Sequence, residues 1–482
     1  MELPVFSIIY IATFIGILYT TKNIQKIYLF NFMILLLLEI YYTQGFFIKL
    51  NTVEVSIVTV HLVIMSCLAL LYLLKQREIF RRKLIIKILL LLVLPLITLF
   101  VEILHPYGGL VMPVIDGVNW DSYALGRSFL SRYDLSEAEM VRFVVQYIKL
   151  LCYAVILYVT KSILNTKNII ICINFIVRIS YFLVGYGYFE YLLKNMLSIP
   201  EIAFCITELL FGVGNSTFGW ENTTMLSDSS WRLQGMSQEP AHYVWGLMIC
   251  CIFLLLYKKS GLECCNKKTN SIVLVLAIIL MPMTGGMSSV VALGTVFLVF
   301  CVLFIKNYKL LIKTLFGIFA LTSIFVGYFF TEESVFLERL DSVFYAAKVL
   351  YSNPNLLLVG MDGSAVARFT SIFTSISIWL DNFLFGLSIS AVPAHDITAT
   401  LLVKYGTCGV VIWYMSITET DNRNVSCSHV IMILVLFIAG FWGGVLFGFH
   451  SQFYFVFLFE ASVLCNDQRT KLIANKYFHD EL

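Results

Sequence analysis

Uninterrupted apolar runs set the limits on what this chain can fold into. The stretch IIKILLLLVLPLITLF at residues 85–100 carries a single charge, and comparable runs recur along the sequence. A helix that crosses a bilayer needs about 20 mostly apolar residues. A soluble domain has nowhere to bury so many segments of that kind. Composition agrees, since 59% of the 482 residues are hydrophobic and 13% are charged, about half the charged share of an ordinary soluble domain. A transmembrane β-barrel would show short alternating segments instead. The chain therefore reads as all-α, a polytopic integral membrane protein forming one domain over residues 1–482.

Thirteen candidate spans fall near residues 4–20, 27–43, 55–74, 84–104, 142–160, 168–192, 241–257, 271–285, 288–305, 311–330, 396–415, 429–447 and 451–465. The first follows Glu2, not a basic segment, and has no A-x-A cleavage site, so it reads as a retained span. Lys and Arg in short connectors mark the cytoplasmic side. With the N-terminus outside, one alternation gives that side Lys22 and Lys26, the group from Lys75 to Lys83, Lys161 and Lys167, Lys258 to Lys268, Lys306 and Lys309, and a cytoplasmic C-terminal tail with Arg469, Lys471 and Lys476. Three long loops, near 105–140, 194–240 and 331–395, remain outside. In the third, Phe344, Val349, Leu350, Ile372, Ile376, Leu380 and Phe383 recur at helical spacing, which predicts short interfacial helices. A transporter keeps its connectors short and its chemistry at the midplane, whereas this chain invests in one face. The net charge of +3 comes with no concentrated basic face, so a nucleic-acid partner is not expected. The 12 cysteines are scattered, mostly within apolar runs, and no C-x-x-C spacing suggests a zinc site.

Three external constellations could carry chemistry. In WRLQGMSQEPAHYVW, starting at Trp231, Pro240 suits the first position of a helix and Glu239 its cap. Arg232, Glu239 and His242 then sit beside a helix N-terminus, a place that favours anions. Glu239 reads equally as a plain capping carboxylate. Arg339 and Arg368, in the third loop, could converge on a pyrophosphate, because a guanidinium fork binds phosphate oxygens bidentately; as interfacial arginines they could instead snorkel to lipid headgroups. His395 and Asp396 stand at the entrance to a span. Histidine can take a proton from a sugar hydroxyl, or simply lie at headgroup level, while Asp396 also reads as an N-cap. Inside the spans, Glu39, Lys149, Arg178, Glu190 and Glu460 are costly unless paired or wet. Arg178, mid-span, is expected to have an acidic partner or to line a substrate path.

Taken together, R-x-x-G-x-x-x-E-P at Arg232, Gly235, Glu239 and Pro240, the small-residue hairpin TGGMSS from Thr284, and the stretch from Arg368 through DNFLFG to AHD and LLVKYGTCG resemble the O-antigen polymerase family of bacterial polysaccharide synthesis, which shares its plan with the O-antigen ligases. The motifs cover about residues 230–415; DNF at Asp381–Phe383 departs from the N-P common in that pattern. The resemblance implies a glycosyltransferase of the bacterial inner membrane with no cofactor and no metal. Its donor would be a glycan on undecaprenyl pyrophosphate, its acceptor the terminal hydroxyl of a new lipid-linked repeat unit, and a chain-length regulator a possible partner. Arg232, Arg339 and Arg368 would hold the pyrophosphate, and His395 or Glu239 would take the acceptor proton. A ligase that transfers the glycan to lipid A core, or a flippase for the lipid-linked oligosaccharide, are the alternatives.

Overall fold

The structure is a computed structural model and describes residues 4–41, 46–50, 53–75, 82–105, 137–211, 225–227, 230–237, 240–260, 267–284, 287–304, 375–376, 378–389, 397–419 and 452–465. Within these the helices are α1 Val5–Thr20, α2 Ile24–Tyr41, α3 Ile57–Lys75, α4 Arg82–Leu104, α5 Glu137–Ile163, α6 Thr166–Tyr191, α7 Pro200–Phe211, α8 Pro240–Ser260, α9 Lys267–Met283, α10 Met287–Phe304, α11 Ile397–Ile417 and α12 Gln452–Cys465. Helices occupy the expected spans except those near 311–330 and 429–447, which lie outside the described residues. Among the described residues, five helical stretches are long and apolar enough to cross a membrane: Lys83–Leu104, Met140–Ile163, Thr166–Met196, Pro240–Lys259 and Thr398–Ile417.

Two features depart from a purely helical reading. Strands β1, Phe46–Leu50, and β2, Val53–Ser56, pair antiparallel just before α3, and β3, Met225–Ser227, pairs with β4, Ser230–Trp231. The second long loop, expected near 194–240, also contains a helix, α7. It buries Ala203 and Thr207 and exposes Ile202 and Leu209. At 12 residues it is too short to cross a bilayer.

Helix α8 is the hub. It packs against α2, α6, α9, α10 and α12, and its apolar window is 100% buried. A helix apolar on every side belongs inside a bundle. The outer helices are amphipathic in the inverted sense. On α4, Ile86, Leu89, Leu90, Val93, Ile97, Phe100 and Leu104 form an exposed stripe at helical spacing, while Leu84, Ile88, Leu91 and Leu94 face inward. A continuous exposed apolar stripe of that length has lipid as its solvent, and the protein is membrane-embedded.

Charge is gathered at opposite ends of this bundle. At one end Lys161 of α5 meets Glu460 of α12 at 2.6 Å and the carbonyls of Ile417 and Glu419 at 2.5 and 2.8 Å, and Lys87 of α4 pairs with Glu419. Glu460, costly on its own within an apolar run, is thus paired. The other end lies beyond the C-terminus of α6, a helix of 26 residues and so about 39 Å long at about 1.5 Å per residue.

Candidate functional site

At that far end, α6 runs into a wider π-helical turn, Leu192–Met196. Single turns of this kind re-aim side chains and occur often at functional sites. Here it presents Lys194 and Asn195 to the segment 231–235. Asn195 brackets Trp231 on both main-chain groups: its Oδ1 accepts from the Trp231 N–H at 2.7 Å and its Nδ2 donates to the Trp231 carbonyl at 3.1 Å. Glu190, on the last turn of α6, accepts from the N–H groups of Gln234 at 3.2 Å and Gly235 at 2.7 Å. Its carboxylate also pairs with Lys194 at 2.6 Å, and the two side chains are only 2% and 1% exposed. A buried ion pair must offset the desolvation of both groups, and it does so only when further hydrogen bonds complete the shell. The two main-chain donors do this for Glu190. For Lys194, the Phe204 ring lies 4.3 Å away and the Arg232 carbonyl 3.5 Å away. Phe204 of α7 in turn meets Trp231 edge-on, with ring centres 5.8 Å apart.

The chain can turn at this point because Gly235 adopts a φ of +59°, in the region open to glycine and strained for other residues. A Cβ on Gly235 would also strike the Tyr243 ring. Tyr243 of α8 donates its hydroxyl to the Leu183 carbonyl at 3.0 Å, and a Cβ on Gly187 would occupy the place of that hydroxyl. Two glycines of different elements therefore make room for one tyrosine that joins α8, α6 and the 231–235 turn.

Arg232 sits in the middle of this arrangement. Its Nε donates to the Thr284 carbonyl at 2.9 Å, just past the end of α9, and Thr284 itself is buried, with its hydroxyl on the Met281 carbonyl. The pattern anchored on Arg232, Gly235 and Pro240 thus acquires physical content. Arg232 ties the loop to the α9 end, Gly235 makes the turn, and Pro240 opens α8 as expected of a residue with no N–H to satisfy. His242, one turn into α8, is buried. Glu239, Arg339, Arg368 and His395 lie outside the described residues, and the structure does not report whether they approach Arg232. Arg178 falls on the exposed stripe of α6 shared by Phe182 and Phe189; among the described residues no acidic side chain forms a salt bridge with it. Lys149 is likewise exposed, on α5.

The late motif folds in a way the sequence does not announce. Helix α11 is broken at Gly406, with φ 59° and ψ −170°. Into the break docks the segment 378–389 of the third loop, and the two chains exchange main-chain bonds. The N–H groups of Thr407 and Cys408 donate to the carbonyls of Phe383 and Leu384 at 2.9 and 3.0 Å, and the Leu387 N–H donates to the Val403 carbonyl at 2.7 Å. Gly386, with φ +76°, and Gly406 meet main chain to main chain, and neither has room for a Cβ. This part of the loop was expected to lie at the interface as a short helix. Leu380, Phe383 and Leu384 do face outward, but the turn after them is drawn in against the middle of α11. Non-helical backbone at that depth requires partners inside the protein, and the break supplies them. Two residues before the break, Lys404 is buried. Lys194 and Asn195 were not singled out from the sequence, and Thr284 and Lys404 entered only as members of the TGGMSS and LLVKYGTCG stretches, although the i,i+4 spacing of Glu190 and Lys194 was a readable signal.

Among the described residues no three His, Cys, Asp or Glu side chains group as a metal site. Compared with known protein families, with curated proteins and with solved structures, the chain matches none.

Proposed function

We propose that this protein is a membrane glycosyltransferase that polymerises undecaprenyl-pyrophosphate-linked repeat units into O-antigen or capsular-type polysaccharide at the outer face of a bacterial inner membrane. In this reading the chain crosses thirteen times, with its N-terminus outside and its C-terminus in the cytoplasm, and the Arg232 end of the bundle faces outward. The observation that carries the reading is the fixing of Arg232, the cation of the R-x-x-G-x-x-x-E-P pattern, by its Nε to the Thr284 carbonyl just past α9 and by its own carbonyl to Lys194 just past α6. A cation held there suits a lipid diphosphate.

The chemistry asked of the site is limited. The acceptor hydroxyl oxygen attacks the anomeric carbon of the donor glycan, the bond from that carbon to the pyrophosphate oxygen breaks, and the lipid pyrophosphate departs with the electron pair. The hydroxyl proton goes to a base, His395 or Glu239. Arg232, Arg339 and Arg368 stabilise the charge on the leaving pyrophosphate, with no metal and no cofactor in the scheme. Lipid-linked glycans are the partners, and a chain-length regulator would act on the same face.

The test is the glycan ladder of cells that lack this protein. Loss of everything beyond a single repeat unit is the expected result, restored by the wild-type gene and not by Arg368→Ala or Arg232→Ala. Long polymer left unattached to lipid A core would make the protein a ligase. Single units trapped on the cytoplasmic leaflet would make it a flippase. Unchanged chain lengths in both arginine variants would remove those side chains from the mechanism.

A further inference from the structure

A buried carboxylate and a buried ammonium at the end of an apolar helix are an expensive way to close a loop. The segment docked at the Gly406 break is held without charge, by main-chain bonds and by the Thr407 and Thr98 hydroxyls and the Trp379 indole. At the α6 end, by contrast, Glu190 and Asn195 direct their side chains at one short stretch of main chain, and Lys194 backs Glu190. Glu190 holds the N–H groups of Gln234 and Gly235, Asn195 holds both main-chain groups of Trp231, and Lys194 completes the shell of Glu190. The residues bracketed by these contacts are Arg232 and Leu233, of which Leu233 is buried and Arg232 carries the polar side chain. Its main chain is gripped on both sides, at 231 and at 234–235, and its Nε is pinned to Thr284. A six-bond side chain on a free loop samples many positions, and each ordered rotor lost on binding costs affinity. A guanidinium whose backbone and Nε are both fixed presents its terminal nitrogens in one direction before any ligand arrives.

Resting on the glycosyltransferase reading above, we propose that Glu190, Lys194 and Asn195 are positioning residues for the lipid-pyrophosphate donor. They preset Arg232 and do not touch the substrate themselves. The ion pair is the device that makes the setting rigid: a carboxylate binds two N–H groups more tightly than a neutral amide can, and the Lys194 ammonium holds that carboxylate from its other side.

The experiment uses the full-length protein in nanodiscs, with an undecaprenyl-pyrophosphate-linked repeat unit as donor and the concentrations of donor and acceptor varied independently. The double variant Glu190→Gln/Lys194→Met removes the pair while conserving volume, and replacing a buried pair by neutral groups of like size leaves stability unchanged or raised. We expect the thermal midpoint to hold and KM for the donor to rise at least about tenfold, the scale on which a misplaced binding group acts, with KM for the acceptor unmoved. Asn195→Leu, at a half-buried position, should show the same donor-selective loss, and Asn195→Asp, which keeps the acceptor for the Trp231 N–H, should recover part of it. Unchanged donor KM in a folded double variant overturns the proposal. So does an equal rise for donor and acceptor, or a loss of activity that follows only the loss of folded protein in both the double variant and Asn195→Leu. Arg232→Ala in the same assay separates the two levels. If it leaves donor KM unchanged, the reading of the site fails; if it raises donor KM and the Glu190 and Asn195 variants do not, the positioning role alone fails.

Discussion

The latch at Lys161 gives a test of the fold that is independent of any activity. The ammonium is fully buried and has three partners for its three hydrogens: Glu460 Oε1 at 2.6 Å, the Ile417 carbonyl at 2.5 Å and the Glu419 carbonyl at 2.8 Å. Glu460→Leu takes away the charge partner and leaves a buried cation with two carbonyls. Breaking a buried pair costs about 3–5 kcal/mol, and the two retained bonds place this variant near the lower bound, about 3 kcal/mol. Lys161→Met instead leaves two carbonyls at the end of α11 without their donor, about 2 kcal/mol by the cost of unsatisfied groups, reduced because Glu460 retains some access to water at 11% exposure. The double variant has no stranded charge and should cost only the carbonyl contribution, about 2 kcal/mol. The singles then sum to about 5 kcal/mol, and the coupling is about 3 kcal/mol. Equilibrium unfolding in mixed micelles, titrated with a denaturing detergent and followed by tryptophan fluorescence, measures all four corners of the cycle. Costs that simply add, to within about 0.5 kcal/mol, would show that Lys161 and Glu460 do not meet, and with that the link from α5 to α12 and the end of α11 would be wrong.

Other outcomes follow from single positions. Gly406→Ala should destabilise by about 1–3 kcal/mol from its φ and ψ alone, and by more because the Cβ meets the main chain of Gly386 and Leu384, whereas Gly185→Ala, in open space on α6, should be neutral or stabilising by up to about 1 kcal/mol; detergent stability assays read both, and equal behaviour would deny the break in α11. Cys205, exposed on α7, should react with a membrane-impermeant maleimide added outside intact spheroplasts; protection there, with labelling only after lysis, would invert the proposed orientation. Arg232→Lys should be nearly as damaging to polymer length as Arg232→Ala, since the ammonium keeps the charge and loses both the Nε bond to Thr284 and the fork; a fully active lysine variant would reduce the role of Arg232 to charge alone. Lys404→Met should raise the thermal midpoint, because a buried ammonium costs more than a buried thioether of like length, and a fall would show that the charge is well paired where it stands.

The helices were legible because an apolar run long enough to span a bilayer has few other ways to satisfy its backbone. The opening of α8 at Pro240 and the need of Glu460 for a partner were legible for local reasons: a missing N–H, a charge in hydrocarbon. Helix α7 was not. Its 12 residues mix Glu201, Glu208 and apolar positions, and it is held by Phe204 against Trp231 and Lys194, contacts between residues about 30 positions apart or across a turn. The docking of 378–389 was hidden for a related reason. Spacing predicted a surface helix, and its outward residues obey that spacing, but what draws the following turn inward is the meeting of Gly386 with Gly406. Glycine is nearly silent in hydropathy, and the partner for its main chain lies in another segment. The expectation for Arg178 came from depth alone, which does not say toward which neighbour a helix face points; the exposed stripe of α6 decided that.

The two charged ends of the bundle use the same groups for different purposes. At the Lys161 end the cation is the consumer: one ammonium takes an acid and two carbonyls, and the product is a joint between helices. At the Glu190 end the acid is the consumer, taking an ammonium and two main-chain N–H groups, and the product is an oriented loop. Carbonyls and carboxylates around a lysine leave a region neutral and closed, which suits a structural latch. A carboxylate paired with Lys194 and engaged with two main-chain N–H groups has its oxygens taken up by the turn it orders, so what it fixes is backbone and not a neighbouring helix.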